Sequence, residues 1–161
     1  MKSTQKEFLK IISDYQGIIH KVNLIYFRSE NDRQDNFQEV VYQLWRSYPS
    51  LKDKDRIASW IYAVAINTSI STIRKDSRLV FFDTIYETEH AETDNNIEHE
   101  INYQDLLSAL QKLNEIDRSI MLLYMEDYSY DDIAQIMGIS TSNVGVKIHR
   151  IKNQLKNLLK D

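Results

Sequence analysis

The chain lacks residues that several protein classes require. It has no cysteine, one proline and three glycines in 161 residues. Without cysteine there is no disulfide framework, no thiolate metal site and no thiol nucleophile, a composition typical of a reducing compartment. We therefore expect a cytoplasmic protein.

Long apolar runs are also missing. Runs such as residues 61–66 are far shorter than the roughly 20 residues that a transmembrane helix needs. The opening residues MKSTQKE lead into no secretory core. The sequence therefore predicts neither membrane insertion nor export.

Charge is distributed unevenly along the chain, whose formal net charge is -4. Residues 1–78 carry 13 Lys or Arg against 9 Asp or Glu, and residues 103–161 carry 7 against 8. Residues 79–102 carry 7 acidic residues and no basic one, which is typical of a solvated linker. The sequence thus predicts two small domains, 1–78 and 103–161, joined by an acidic flexible linker, 79–102.

Apolar residues recur at helical spacing in both predicted domains, and no run reads as a strand. We therefore predict an all-α fold in which residues 1–78 form a bundle of three or four helices. Gly17 is expected to bend or break the first helix. Trp45 and Trp60 lie on apolar stripes and are predicted to be core residues.

The second predicted domain contains the spacing of a helix-turn-helix. Ala134 allows two helices to approach, Gly138 suits the turn between them, and Val144 fills the junction. Ser129 is the expected N-cap of the first helix of the pair. An N-terminal helical bundle is therefore expected to precede a C-terminal helix-turn-helix domain.

The second helix of that pair is predicted to begin near Ser140 or Thr141 and to bury a stripe of Val144, Ile148, Ile151 and Leu155. From residue 139 to residue 160 it carries five Lys or Arg and no acid, a charge pattern that favours DNA over a merely solvated face. Helix-turn-helix geometry presents the first half of such a helix to base edges. The candidate contacts to duplex DNA are Thr141, Ser142, Asn143, Val146, Lys147 and Arg150.

Two parts of the sequence carry a family pattern. Residues 35–40 (DNFQEV), 44–46 (LWR) and 60–67 (WIYAVAIN) resemble the second conserved region of bacterial RNA polymerase sigma factors. Residues 128–140 (YSYDDIAQIMGIS) and 144–150 (VGVKIHR) resemble the fourth region. The resemblance is to the extracytoplasmic-function group of the sigma-70 family, and it covers residues 8–78 and 103–160.

The resemblance implies roles for polar residues of the first domain. Without it, the helix face with Asp35, Gln38 and Glu39 and the loop 52–56 would be interpreted as solvated surface. The residues implied to bind polymerase are Asp35, Gln38, Glu39 and Arg46. Those implied to lie toward the melted minus-ten element are Lys52, Lys54, Arg56, Tyr62, Asn67, Arg74 and Lys75. Cations beside aromatic and amide side chains are the residue types that hold single-stranded DNA.

The function implied is that of an alternative sigma factor, which binds core RNA polymerase, reads the upstream minus-thirty-five duplex and captures the melted strand. The implied partners are core RNA polymerase, promoter DNA and an anti-sigma factor. The linker would either run through the polymerase channel or act only as a tether. The sequence departs from the family at Gly145, where the pattern has Lys or Arg, and at Val146, where it has a small polar residue.

Two other functions were weighed. An enzyme is the first, because the types of residue that bind metals or transfer protons occur near the linker, namely His90, Glu92, Glu98, His99 and Glu100. These residues fall in the segment least suited to a rigid site, and no nucleophile or phosphate-loop motif occurs elsewhere, so no catalytic residue, metal or cofactor is predicted. A stand-alone helix-turn-helix regulator is the second, and the first domain argues against it.

Overall fold

The computed structural model describes the backbone of residues 2–83 and 98–160 and the side chains of residues 3–76 and 103–159. Within these residues every regular element is helical, as predicted. The α-helices are α1 (Lys2–Tyr26), α2 (Glu30–Ser47), α3 (Ile57–Asp83), α4 (Glu98–Gln111), α5 (Glu115–Met125), α6 (Tyr130–Met137) and α7 (Thr141–Lys160), with short 3₁₀ turns at Tyr48–Ser50 and Lys54–Arg56.

Helices α1, α2 and α3 pack against one another and form the first domain. Their facing sides supply a core of branched aliphatic side chains, among them Val22, Leu44 and Ile66. The hydroxyl of Ser29 accepts a hydrogen bond from the backbone N–H of Asp32 at 3.0 Å and so caps the start of α2. Helix α2 ends at Ser47, before Pro49, which lies in the following 3₁₀ turn.

A buried polar network lies at the centre of this bundle. The side-chain amide of Asn36 on α2 donates to the Asn23 side chain on α1 at 2.7 Å and to the Ser69 hydroxyl on α3 at 2.9 Å. Asn23 in turn donates to the backbone carbonyl of Arg33, and Ser69 donates to that of Ala65. The network therefore ties all three helices together.

Helices α5, α6 and α7 form the second domain, and α4 packs along α7. The Ser129 hydroxyl accepts from the backbone N–H of Asp132 at 3.1 Å, so the predicted cap of α6 is confirmed. Gly138 has φ 73°, a left-handed conformation that ends α6 and turns the chain into α7. The buried stripe predicted for α7 is also confirmed and consists of Val144, Ile148, Ile151 and Leu155.

Three expectations for the first domain need correction. Helix α1 runs from Lys2 to Tyr26 without a break at Gly17, and apolar residues on both sides of the glycine, among them Phe8, Ile19 and Val22, are buried. Trp45 is 39% exposed, because its ring covers the edge of Phe8 rather than entering the core. Trp60 is only partly buried.

The described ends of the acidic segment are helical in the backbone, since α3 continues to Asp83 and α4 begins at Glu98. The rest of the predicted linker, residues 84–97, lies outside the described residues. Among the helices that are described, none is both long and apolar enough to cross a membrane.

Candidate nucleic-acid interfaces

The outward side of α7 is the first candidate surface. Opposite its buried stripe the helix exposes Ser142, Asn143, Val146 and His149. The Ser140 hydroxyl accepts from the backbone N–H of Asn143 at 3.1 Å and stabilises the start of the helix. The outward side of the first two turns of α7 therefore lies in solvent, as a helix that enters a DNA groove requires.

Two of the predicted contacts on α7 already have partners within the protein. Arg150 donates from one guanidinium nitrogen to both carboxylate oxygens of Asp117, at 3.2 and 3.1 Å. Asp117 lies on α5 and is only 3% exposed, so Arg150 neutralises a buried charge. The Thr141 hydroxyl donates to Asp131 at 3.0 Å. A DNA role for either residue remains a prediction.

The glycine within α7 is covered by an aromatic ring. A Cβ atom at Gly145 would lie 3.6 Å from the ring of Tyr130, which is ordinary van der Waals contact. Tyr130 lies beside Tyr124, and Lys152 donates to the Tyr124 hydroxyl at 2.7 Å and lies 4.5 Å from that ring's centroid. This hydrogen bond raises the pKa of the Lys152 ammonium above its ordinary value.

The exposed side of α2 is the second candidate surface. All four residues implied to bind polymerase are exposed there, namely Asp35, Gln38, Glu39 and Arg46. Beside them an apolar groove of about 500 Å³ between α1 and α2 is lined by Leu9, Val41, Tyr42 and Trp45, together with Gln38. Polar groups around an exposed apolar centre are typical of a protein-binding surface.

The residues predicted to lie toward melted DNA do not form one surface. Asn67, Arg74 and Lys75 line a groove of about 1120 Å³ between α2 and α3, together with Asp35 and Glu39. Lys52 and Lys54 lie apart from this groove, on the charged loop before α3. Lys54 contacts Glu7 at 4.0 Å instead.

Tyr62 was expected on the solvent side of α3, and this placement is wrong. The side chain is 2% exposed and its ring meets the edge of Tyr128 in the second domain, with 5.5 Å between centroids. Burial raises the pKa of the Tyr62 hydroxyl. The spacing along α3 alone could not reveal this, because the covering residue belongs to the other domain.

Two predicted cations of the first domain also contact the second domain. Arg56 donates to Gln135 at 3.0 Å and to Asp132 at 3.5 Å on α6. Arg74 donates to Glu115 on α5 at 2.8 Å, and this bond holds the pKa of the Glu115 carboxyl below its usual range. In this arrangement Arg56, Tyr62 and Arg74 face the second domain.

The contact between the domains continues along α1. Lys21 pairs with Glu126 at 2.7 Å, and the Tyr26 hydroxyl donates to the backbone carbonyl of Glu115 at 2.5 Å. Arg118 donates to the carbonyl of Ile25 near the end of α1 at 3.2 Å. Sequence reasoning missed these residues, since each bond joins positions about ninety or more residues apart and no local pattern marks them.

The enzyme hypothesis gains no support from the described side chains, among which no group of acidic and histidine residues is arranged to hold a metal ion. His90, Glu92, Glu98, His99 and Glu100 lie outside the side chains that the structure describes.

A helical bundle followed by a helix-turn-helix with an exposed second helix is the architecture of a two-domain DNA-binding protein. The family "Sigma-70 region 2" matches residues 11–79, and "Sigma-70, region 4" matches residues 103–155. The chain therefore belongs to the sigma-70 family of RNA polymerase sigma factors, in its extracytoplasmic-function group.

Curated relatives agree over nearly the whole chain. RNA polymerase sigma factor SigV of Bacillus subtilis is 26% identical over 92% of this chain and 89% of its own length. The extracytoplasmic-function sigma-E factor of Haemophilus influenzae is 25% identical over 95% of this chain and 87% of its own length. The predicted family is thus confirmed, and the stand-alone regulator is the less supported function.

Solved structures agree in fold. The sigma factor RpoE of Bartonella quintana, in complex with the anti-sigma factor NepR, superimposes with a TM-score of 0.73 at 21% identity, over 99% of this chain and 98% of that one. CnrH, in complex with the cytosolic domain of CnrY, gives a TM-score of 0.67 at 18% identity, over 97% of this chain and 89% of that one. The all-helical architecture of this chain is therefore a known one.

Proposed function

We propose that the protein is a dissociable initiation subunit that acts in the cytoplasm and has no catalytic activity of its own. The first domain binds core RNA polymerase and the melted promoter strand, and the second domain reads the upstream duplex. Polymerase carries out the chemistry. The observation that carries the proposal is the outward face of α7, a helix that carries five Lys or Arg and no acid and projects from a helix-turn-helix in a sigma-70 chain.

Recognition of the upstream element is assigned to α7. Ser142, Asn143, Val146 and Lys147 lie near its exposed N-terminal half, where base edges are read in this motif. Lys152 and Lys156 follow two turns later, at positions suited to phosphates. Phosphate contacts provide affinity, and the first two turns provide specificity.

Polymerase binding is assigned to α2. Gln38 lines the apolar groove with Leu9, Tyr42 and Trp45, and the exposed carboxylates of Asp35 and Glu39 lie on the side of α2 that faces the α2–α3 groove. An apolar centre with a charged rim supports tight protein association. We assign Asp35, Gln38, Glu39 and Arg46 to this interface.

Capture of the melted strand by Tyr62 requires a change in the domain contact, because this side chain is 2% exposed and becomes accessible to DNA only when the two domains separate. Arg56 and Arg74 remain partly exposed beside the second domain and would only have to exchange their protein partners for DNA. Asn67 and Lys75 are exposed without any such change. The acidic segment 79–102 would then tether the separated domains.

An anti-sigma partner is part of the proposal. Two solved structures of similar fold are complexes, one with the anti-sigma factor NepR and one with the cytosolic domain of CnrY. We propose that this chain is likewise held inactive by an anti-sigma protein, which polymerase must displace.

The test compares binding to polymerase with binding to DNA. We expect the purified chain to bind core polymerase tightly and to bind duplex promoter fragments weakly when polymerase is absent. Gln38→Ala should weaken polymerase binding, whereas Gln154→Ala, an exposed glutamine on α7, should not. Tight sequence-specific duplex binding by the chain alone, with no affinity for core polymerase, would instead establish the stand-alone regulator.

A further inference from the structure

An exposed valine lies in the middle of the proposed DNA-reading surface. Val146 is 65% exposed, which makes it one of the most exposed large apolar side chains among those the structure describes. At about 3.6 residues per turn, its position is directly opposite the buried stripe of α7. Val146 is therefore the central side chain of the outward face.

The surroundings of Val146 are polar, so it does not belong to an apolar patch. One turn before it lie Ser142 and Asn143, and one turn after it lie His149 and Arg150. A protein-binding surface requires contiguous apolar area, which these neighbours do not offer. Within residues 139–160 the charged residues are all basic, which favours a polyanion as the partner.

The chemistry of Val146 matches one group in the major groove of DNA. Base edges there present hydrogen-bond donors and acceptors, and the C5-methyl of thymine is the apolar exception. Valine cannot form a hydrogen bond with a base, and its two methyl groups can only pack. Since a β-branched side chain in a helix is held in one χ1 rotamer, this contact requires little further ordering.

We propose that Val146 is a specificity-determining residue that packs on the C5-methyl of a thymine in the major groove of the upstream element. The inference rests on the proposed function and deepens it, because it names the base that one residue selects.

The experiment uses holoenzyme assembled from core polymerase and the full chain. A library of promoter fragments randomised over the upstream element is selected by binding, and the enriched sequence is determined. Each enriched thymine is then replaced singly by uracil, which removes the methyl group and leaves the base-pairing edge unchanged. Affinities of the paired fragments are measured for the parent chain, for Val146→Ser, and for Asn153→Ser as a control two turns later on the same side of α7.

We expect one thymine whose replacement by uracil weakens binding of the parent holoenzyme about fourfold, which corresponds to burial of one methyl group at about 0.8 kcal/mol. Val146→Ser should bind the thymine and uracil forms of that fragment equally, and Asn153→Ser should keep the fourfold difference. The coupling between the valine and the methyl group is thus measured as a double-mutant cycle.

Three results would overturn the inference. The first is an enriched element in which uracil replaces every thymine without effect. The second is a thymine preference that persists in Val146→Ser. The third is a loss of core-polymerase binding in Val146→Ser without DNA, which would assign the valine to a protein surface. These results leave the proposed function intact. If the holoenzyme enriches no upstream element at all, the proposed function fails together with the inference about Val146.

Discussion

The two domains differ in how far a local sequence pattern determines their functional surfaces. In the second domain, about twenty consecutive residues form the turn, the buried stripe and the exposed face of α7. In the first domain, three of the predicted DNA-facing residues contact the other domain. A surface formed by one motif can be predicted from that motif, whereas a surface covered by a distant element cannot.

The two cores differ as well. The first domain ties its helices through the uncharged network of Asn23, Asn36 and Ser69. The second domain contains a charged pair, in which buried Asp117 on α5 holds Arg150 on α7. The polar network of the first domain is centred on one buried side chain, that of Asn36. The ion pair of the second domain instead includes a residue of α7, the helix proposed to read DNA.

The largest expected effect concerns this ion pair. Arg150→Ala leaves the Asp117 carboxylate buried without its cation and should destabilise the second domain by about 3 kcal/mol. The measurement is urea unfolding followed by far-ultraviolet circular dichroism. Lys147→Ala, on the same helix, should change stability by less than about 0.5 kcal/mol.

A second variant separates a structural role of Arg150 from a DNA-binding one. Replacing the carboxylate as well, in Asp117→Asn with Arg150→Ala, removes the buried charge and should restore part of the lost stability. If Arg150→Ala is as stable as the parent chain, the pair seen in the structure contributes nothing and the residue is available to DNA.

The next effect concerns the polar network of the first domain. Asn36→Ala removes two hydrogen bonds and leaves the buried Asn23 and Ser69 groups short of a partner, at a cost of about 2 kcal/mol. Both tryptophans, Trp45 and Trp60, lie in this domain, so tryptophan fluorescence reports its unfolding separately. Gln34→Ala, at an exposed position on the same helix, is the control, and equal midpoints for the two variants would contradict the account.

Replacing glycines by alanine should change the stability of each domain by a smaller amount. Gly17 in α1 and Gly145 in α7 both lie within helices, and a Cβ atom at either site meets no clash. Each replacement by alanine should therefore stabilise its own domain by up to about 1 kcal/mol. Gly138→Ala should instead destabilise, because its φ of 73° disfavours a side chain. Thermal unfolding checks all three, and a destabilised Gly145→Ala would mean that α7 needs a closer approach of Tyr130 than the structure shows.

The smallest expected effect is the pH dependence of the stability that the Arg74–Glu115 pair contributes to the contact between the domains. Arg74 lowers the pKa of Glu115, so this pair contributes stability above the pKa of the unfolded carboxyl and loses it as the pH falls through the lower folded value. Glu115→Gln should reduce stability by less than about 1 kcal/mol at neutral pH, since the pair is largely exposed, and by nothing in acid. Urea unfolding of the parent chain and of Glu115→Gln at neutral and acidic pH measures the difference in stability between them, which we expect to shrink on acidification.

Much of the fold follows from periodicity and turn chemistry. The helical class, the cap at Ser129, the turn at Gly138 and the stripe from Val144 to Leu155 are all local features, and the structure confirms them. The uninterrupted α1 at Gly17 was not predictable in this way, because packing outweighs a helix propensity of about 1 kcal/mol.

The candidate sites could be predicted only in part. The family resemblance located the exposed residues of α2, and charge together with the helix-turn-helix located the exposed face of α7. Neither the resemblance nor the charge pattern revealed that Arg150 forms an ion pair with Asp117 or that Tyr62 packs against Tyr128, because both contacts join residues far apart in the chain. Such contacts depend on tertiary packing, which no spacing in the sequence records.

Transcription in vitro by purified bacterial core polymerase on fragmented genomic DNA, with and without this chain and with start sites mapped by sequencing, tests most simply whether the protein is a sigma factor. We expect new starts that share a pair of upstream motifs, and weaker initiation at them when Lys147→Ala replaces the parent chain. An identical set of starts with and without the chain, at concentrations that saturate polymerase binding, would contradict this expectation.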